Sequence, residues 1–339
     1  MMDVNALRQQ LSALDCAGSL YVASDIEKEY FRYYGIDFEN RIVGVTHQLG
    51  LVAAAEFDVA CHVYRHAAAK GTAYIVHGYF DHAGLYGHIA EYFLTRRYNV
   101  VLLDLPGHGL SSGPRATIEA FADYERALEA CIRACCGELI QPALFVGQST
   151  GAAIIMQFLL DEKYTGLLDK PANVLLLAPL VRPARWPVLR LAFRLNRLIR
   201  SDIPRGFSNN SHDENFLDFL RNHDPLQFNA LPMQWVQAMS VWIDRFKAAP
   251  VSFISPLVLQ GPQDKTVDWR FNLKAIRDKF PDASIQMLAE GKHHLANESP
   301  EIREKIFEHF DAYLDGQKKS CEREGSDKKG FREQLGSQI

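Results

Sequence analysis

The chain has 339 residues, of which 47% are hydrophobic and 23% are charged, and its formal net charge at pH 7 is −4. This composition is that of a globular protein large enough for one α/β domain with an insertion, and so mild a charge gives no reason to expect nucleic acid as a partner. The six cysteines are too few for a disulfide scaffold, and their spacing excludes the usual cysteine-based metal sites.

After an N-terminal extension, predicted as residues 1–41, short apolar runs alternate with amphipathic stretches. This alternation is typical of βαβ units and predicts an α/β fold with a mostly parallel eight-stranded sheet flanked by helices. The first two strands have no helix between them, which indicates an antiparallel edge. The predicted strands are 41–47, 57–65, 72–76, 99–103, 143–146, 173–177, 256–260 and 284–288, and the predicted helices are 85–97, 118–135, 151–160, 271–280 and one that begins at Ser299-Pro300.

The alternation stops at residues 181–250, which are predicted to form a helical lid inserted into a core made of residues 42–180 and 251–314. Inside it, RPARWPVLRLAFRLNRLIR has six arginines, no acidic residue and an apolar strip of Trp186, Leu189 and Phe193. The favoured interpretation of this strip is a lid packed over a pocket, and the alternatives are a lid that faces a membrane surface and a partner site.

Two further features of the sequence concern the cellular location of the protein and the order of its C-terminal tail. The N-terminal residues lack a continuous apolar run, and no later segment has about twenty uncharged apolar residues. We therefore expect a cytoplasmic protein, with transient contact of the lid with the inner face of the membrane left open. Residues 315–339 are charged, poor in apolar residues and predicted to be disordered.

The stretch LFVGQSTGAA places Ser149 between Gly147 and Gly151, after an apolar run and before AAIIMQFLL. This pattern predicts a strand, a sharp turn and a helix. A side chain at the apex of such a turn has a strained backbone, and bulk beside it would clash, which explains the two glycines. Ser149 is thus predicted to be a nucleophile at a helix N-terminus, where free N–H groups favour negative charge. The alternative is an ordinary polar residue in a glycine-containing loop.

A serine nucleophile needs a histidine that takes its proton and a carboxylate that orients the histidine. In hydrolases with this turn, both follow the serine in the chain, on loops after late strands. The strand PLVLQ runs into GPQDKTVD, which offers Asp264 and, as a competitor, Asp268. Asp264 is favoured because Val267 and Trp269 indicate that the chain has begun to repack by then.

The histidine is expected after the last strand and before the last helix. There the strand SIQML runs into AEGKHH, which contains His293 and His294. Since the two are adjacent, only one of them can face Ser149.

A serine mechanism also needs two backbone N–H groups that hold the oxyanion. One is predicted to be that of Thr150, directly after the nucleophile. The other is expected in the loop HGYFDHAGLYGH, where Gly78 lets the chain turn so that the N–H of Tyr79 faces Ser149. A plain β-turn is the alternative interpretation of this loop.

Five motifs together, HGYFDHAGLY, DLPGHGLSSG, GQSTG, GPQD and GKHHLANE, resemble the serine-hydrolase family of monoacylglycerol lipases and bacterial lysophospholipases, which has the α/β-hydrolase fold. The resemblance covers about residues 42–314. Similar sequences have the catalytic histidine five residues before a glutamate, here Glu298, so the resemblance implies His293. The other site residues that it implies are the nucleophile Ser149, the acid Asp264 and the oxyanion donors Tyr79 and Thr150.

The chain also departs from this family's pattern. Family members commonly have histidine before the serine and methionine after it, where this chain has Gln148 and Thr150, and Ala152 replaces a frequent glycine. None of these changes removes a catalytic group. The lid varies most with substrate in this family, so the substrate is the least determined property.

The sequence therefore predicts a serine hydrolase that cleaves a carboxylic ester of a single-chain lipid, a lysophospholipid or a monoacylglycerol, through an acyl-enzyme. No cofactor and no metal is expected. One alternative is a short-chain carboxylesterase or thioesterase for a soluble metabolite. The other, from a different class, is a catalytically idle receptor or scaffold with the same fold.

Overall fold

The computed structural model describes residues 3–17, 21–135, 137–161, 167, 173–196 and 202–316, with the backbone alone for residues 192–196. The predicted disordered tail beyond residue 316, the end of the arginine-rich segment and the side chain of Phe193 therefore lie outside the described part.

A twisted sheet of eight strands forms the centre of the protein. Its strands in spatial order are β1 (Val45–Ala54), β2 (Phe57–His66), β4 (Asn99–Leu103), β3 (Thr72–Val76), β5 (Ala143–Gln148), β6 (Asn173–Leu177), β9 (Leu257–Gln260) and β10 (Ser284–Met287). From β4 to β10 all neighbours are parallel, whereas β2 is antiparallel to both β1 and β4. The predicted fold class and its antiparallel edge are confirmed.

The first strand is longer than predicted and lies further along the chain. It was expected at 41–47 but occupies Val45–Ala54, because all ten of its residues pair with β2. Gly50, which interrupts the apolar pattern there, lies where the N-terminal segment crosses the strand. A Cβ atom at Gly50 would come 2.7 Å from the Cα of Leu14.

Helices cover both faces of the sheet because successive side chains of a buried strand point to opposite sides. In β4, Val101 and Leu103 join one apolar cluster, and Val100 and Leu102 join the other. The helices that pack on the first side are α4 (Phe121–Cys135), α5 (Thr150–Leu160), α8 (Met233–Ala248) and α9 (Trp269–Lys279). Those on the second side are α1 (Val4–Gln10), α2 (Asp25–Tyr34), α3 (Gly87–Thr95) and α10 (residues 300–316).

The N-terminal extension covers the exposed edge of the sheet. The backbone N–H of Leu14 donates to the carbonyl of Leu51, and the N–H of Leu51 donates to Ser12, so the segment pairs with β1 over a short stretch. Nearby, the Sγ atoms of Cys16 and Cys135 lie 3.1 Å apart in the core. An edge strand that is covered in this way presents fewer free hydrogen-bonding groups to other chains.

Between β6 and β9 the chain forms the insertion, residues 178–256. It contains α6 (Trp186–Asn196), β7 (Asp202–Pro204), α7 (Glu214–Asn222), β8 (Ala230–Pro232) and α8. The short antiparallel sheet of β7 and β8 was not foreseen. On α6, Trp186 is buried, whereas Val188 and Leu191 are 66% and 58% exposed, so the helix presents apolar side chains both inward and outward.

A buried ion pair ties the insertion to the core and to the N-terminal extension. Asp224 follows α7, and its Oδ2 lies 3.0 Å from Nε2 of His82, a residue of the loop after β3. The hydroxyl of Tyr34 on α2 donates to the other carboxylate oxygen, at 2.7 Å. Burial alone would lower the pKa of His82 and raise that of Asp224, but their mutual attraction outweighs burial and shifts both pKa values the opposite way.

We expect Asp224→Asn to lower the free energy of unfolding by about 3 kcal/mol at pH 5.5, because it leaves one partner of a buried pair alone. In the wild type, the contribution of His82 is complete below its unfolded pKa of about 6.5 and is lost as the pH rises through its raised folded pKa. The contribution of Asp224 is complete above about pH 4 and is lost as the pH falls through its lowered folded pKa.

Urea unfolding between pH 4 and pH 9 measures this effect. Asp218→Asn is the matched control, since Asp218 lies on α7 and pairs with His223 at the protein surface. This variant should lower the free energy of unfolding by less than about 0.5 kcal/mol. Equal losses in the two variants, or an unchanged pH dependence in Asp224→Asn, would contradict the assignment.

Candidate active site

Ser149 lies at the turn between β5 and α5, in a backbone conformation that is rare for a residue with a side chain. Its φ is 52° and its ψ is −108°. The two glycines explain why the chain accepts this strain. A Cβ atom at Gly147 would lie 2.6 Å from the amide nitrogen of Ala152, and one at Gly151 would overlap the carbonyl oxygen of Val76. The tight packing of strand, turn and helix thus forces the serine to the apex.

Three predicted residues meet in a line at the carboxyl ends of the parallel strands. Ser149 follows β5, Asp264 follows β9, and His293 follows β10. Nε2 of His293 lies 3.1 Å from Oγ of Ser149, and its Nδ1 lies 2.8 Å from Oδ2 of Asp264. A histidine in this position can take a proton from the serine hydroxyl while the carboxylate holds the opposite ring nitrogen.

The carboxylate of Asp264 is buried and held from several sides. Its Oδ1 accepts hydrogen bonds from the backbone N–H groups of Thr266 and Val267, and its Oδ2 accepts one from the side-chain amide of Gln260. Burial alone would raise the pKa of Asp264, but the adjacent His293 and these hydrogen bonds outweigh it and lower the pKa below its usual value. An ionised Asp264 therefore accepts the Nδ1–H of His293.

The competing candidates have other partners. Asp268 caps the N-terminus of α9, where it accepts from the N–H of Phe271, and it pairs with Arg182 at 2.6 Å. Nε2 of His294 lies 3.0 Å from Oδ2 of Asp81, on the loop after β3. Each of these residues has a local structural role, and neither takes part in the line that ends at Ser149.

Gln148 holds the backbone of the histidine loop. Its side-chain Nε2 donates to the carbonyl oxygen of His293 at 2.8 Å, and its Oε1 accepts from the N–H of Ala296 at 3.3 Å. Sequence reasoning noted Gln148 as a departure from the family pattern but did not find this contact. The sequence signal that could have indicated this contact is that Gln148 directly precedes the nucleophile Ser149.

Glu298 fastens the same loop to the insertion. Its buried carboxylate accepts from the backbone N–H groups of Lys292 and His212, both at or below 2.8 Å. In addition, the N–H of His294 donates to the carbonyl of Asn210. In the sequence, Glu298 served only to choose His293 over His294. In the structure, its hydrogen bonds help to position the loop that carries His293.

The loop after β3 presents the second predicted oxyanion donor. Nε2 of His77 accepts from the N–H of Leu105, so its Nδ1 carries the proton and donates to the carbonyl oxygen of Gly78 at 2.7 Å. Because C=O and N–H point in opposite directions in a trans peptide, this bond also fixes the direction of the Tyr79 N–H.

Both predicted donors line the cavity that contains Ser149. Within the described part of the chain, neither the N–H of Tyr79 nor that of Thr150 donates to a protein acceptor. Thr150 is the first residue of α5, where an amide has no acceptor in its own helix. The two amides are thus free to bind an oxygen atom of a ligand.

The insertion covers Ser149, which is only 7% exposed. Beneath it lies a cavity of about 250 Å³ that also contains His293. Its apolar wall includes Leu180, Leu189, Leu217, Leu220, Leu231 and Trp235. Trp235 stacks on the ring of Tyr79 with 3.8 Å between centroids, so α8 also supports the loop after β3.

The chain is also similar to known proteins in sequence. The family model described as serine aminopeptidase, S33, matches residues 67–300. The phospholipase YtpA of Bacillus subtilis (strain 168) is 27% identical over 261 residues, which cover 71% of this chain and 93% of that protein.

Solved structures show the same fold. A monoglyceride lipase from Saccharomyces cerevisiae superposes with a TM-score of 0.68 and 15% identity, over 80% of this chain and 95% of that one. The monoacylglycerol lipase of Paleococcus ferrophilus gives 0.62 and 19%, over 76% and 99%. With the family match, they establish the class: the chain belongs to the serine aminopeptidase, S33 family and is an α/β-hydrolase of the serine hydrolase and esterase type.

Proposed function

We propose that the protein hydrolyses the carboxylic ester of a single-chain lipid, a lysophospholipid or a monoacylglycerol, through an acyl-enzyme. The observation that carries the proposal is the line from Ser149 through His293 to Asp264 at the floor of a largely apolar cavity. The names of similar proteins, a phospholipase and monoacylglycerol lipases, support the same substrate class.

In the first half of the reaction, Oγ of Ser149 attacks the ester carbonyl carbon and its proton passes to Nε2 of His293. The N–H groups of Tyr79 and Thr150 hold the oxygen that becomes negative, and Asp264 stabilises the imidazolium. When the tetrahedral intermediate collapses, His293 gives the proton to the departing alcohol. The acyl group remains on Ser149.

In the second half, a water molecule gives a proton to His293 and attacks the acyl carbon. The fatty acid leaves as Ser149 recovers its proton. The insertion acts as the lid, since its leucines and Trp235 form the wall that an acyl chain contacts. A cavity of this size suits a single chain better than the two chains of a diacyl lipid.

We expect Ser149→Ala to lower kcat by about 10⁵-fold, because the nucleophile is lost, and Asp264→Asn to lower it by about 10⁴-fold, because His293 loses its orientation. Asp268→Asn is the matched control for the acid and should keep kcat within about threefold, since asparagine still caps α9 and only the charge of the pair with Arg182 is lost. The measurement is fatty-acid release from long-chain lysophospholipid, monoacylglycerol and a short-chain ester.

Each outcome has a distinct meaning. Activity that survives in Ser149→Ala refutes the serine mechanism. Cleavage of the short ester alone refutes the lipid substrate and favours a soluble metabolite. No cleavage of any ester, together with no labelling of Ser149 by a fluorophosphonate probe, favours the receptor or scaffold alternative.

Gln148→Leu should lower kcat by about 10- to 100-fold with little change in KM, because the loop that carries His293 loses two hydrogen bonds and its geometry loosens. Gln148→His is the matched variant, since imidazole keeps one donor and one acceptor, and it should lose less activity. Steady-state kinetics and the rate of fluorophosphonate labelling measure the effect. A change confined to KM would argue against a positioning role.

We further propose that the outer face of α6 touches anionic lipid surfaces transiently. Val188 and Leu191 are exposed there, and Arg185 and Arg190 beside them are exposed as well. Apolar side chains among arginines are typical of a helix that rests on a lipid surface. Among the described residues, no helix is long and apolar enough to cross a bilayer.

The double variant Val188→Ser and Leu191→Ser should bind vesicles of anionic phospholipid several-fold more weakly, because it removes the exposed apolar area. Cosedimentation with the vesicles measures binding, and high salt should weaken it in the wild type. Val43→Ser, at a 96% exposed position before β1, is the control and should bind as the wild type does. Vesicle binding that ignores both salt and the double substitution would refute the contact.

A further inference from the structure

One charged side chain of the insertion reaches the cavity of Ser149 and has no part in the reaction described above. Arg205 follows β7 and lines the same cavity as Ser149 and His293. Its guanidinium carbon lies 4.0 Å from the ring centroid of Phe80 and 4.8 Å from that of Phe207. Phe80 belongs to the loop that also carries Tyr79, so the guanidinium lies next to the predicted oxyanion loop.

The guanidinium is fixed on one side and free on the other. Its Nη1 donates to the side chain of Gln227 at 2.8 Å and to the carbonyl of Phe228 at 3.2 Å. Gln227 in turn donates to the carboxylate of Asp224. A guanidinium has five N–H donors, and these two contacts use one nitrogen.

Within the described ranges, no carboxylate lies within 4.0 Å of a nitrogen of Arg205. The two nearby acids have other partners, since Asp81 lies against His294 and Tyr86, and Asp224 lies against His82 and Tyr34. Burial lowers the pKa of Arg205, and the charge of Asp81 opposes this effect. Since an arginine starts from a pKa above 12, the side chain remains a cation at neutral pH.

A second arginine enlarges this positive region. Arg221, in the last turn of α7, also lines the cavity. Asp81 and Asp224 balance the charge of Arg205 only from a distance, so an anionic ligand in direct contact with the guanidinium would stabilise it further. Arginine with free, forked donors is the side chain best suited to phosphate.

We propose that Arg205 selects substrates whose alcohol portion carries a phosphate, so that the enzyme prefers lysophospholipids to monoacylglycerols. This inference rests on the proposed ester hydrolysis at Ser149, and it decides between the two lipid classes which that proposal leaves open. A neutral glycerol headgroup offers nothing that balances the charge of Arg205.

The kinetic test compares lysophosphatidylglycerol with monoacylglycerol of the same acyl chain. Wild-type kcat/KM should be about 10- to 100-fold higher for the phosphate-bearing ester, the range expected of a charge-assisted hydrogen bond. Arg205→Gln should lose this preference through KM, with a much larger loss on the phosphate-bearing ester than on monoacylglycerol. Arg205→Lys should retain part of the preference, because it keeps the charge and loses the fork. Arg133→Gln, a surface arginine of α4, is the control and should keep the preference.

A binding test separates failure of this inference from failure of the proposed hydrolysis. Decyl phosphate and decyl glycerol ether, neither of which is a carboxylic ester, are titrated calorimetrically into folded Ser149→Ala protein below their micellar concentrations. About tenfold tighter binding of the phosphate, lost in the Ser149→Ala and Arg205→Gln double variant, supports the inference even if no ester is cleaved. Equal binding of the two probes, equal kcat/KM for the two esters, or an equal loss on both esters in Arg205→Gln overturns it and leaves the proposed hydrolysis standing.

Discussion

The active-site geometry depends on one steric constraint, the close approach of three backbone segments around Ser149. The end of β3, the end of β5 and the start of α5 leave no room for a side chain at Gly147 or Gly151. The chain can turn there only if Ser149 accepts a positive φ. This turn raises the hydroxyl above the sheet edge and leaves the first amide of α5 unpaired, so that nucleophile and predicted oxyanion donor arise from the same constraint.

The other groups of the site, including His293 and the N–H of Tyr79, lie on loops. Buried hydrogen bonds hold these loops in fixed positions relative to the sheet. Gln148 holds the backbone beside His293, Glu298 holds the start of the same loop, and His77 fixes the peptide before Tyr79. Each bond lies in surroundings of low polarity, where losing a partner is costly. The site is therefore organised before any substrate arrives.

The insertion extends this organisation beyond the core. Tyr34 of the N-terminal extension bonds to Asp224, Asp224 accepts from Gln227, and Gln227 accepts from Arg205 in the cavity. One continuous hydrogen-bonded chain thus joins the first helices, the insertion and the substrate cavity. The described residues of the N-terminal extension, which had no evident purpose in the sequence, contact the insertion through α2 and cover the edge of the sheet through the segment at Leu14.

The sequence alone determined the fold class, the chain order of the eight strands of the central sheet, and the residues expected at the site, because buried strands, glycine turns and the order of serine, acid and histidine are local patterns. On residue evidence alone it favoured Asp264 over Asp268, and it left His293 and His294 open, since neighbours in a loop differ only in the direction they face. It also could not foresee the cavity contact of Arg205. Only the tertiary structure decides such matters, because they depend on residues that are distant in the chain and are brought together by packing.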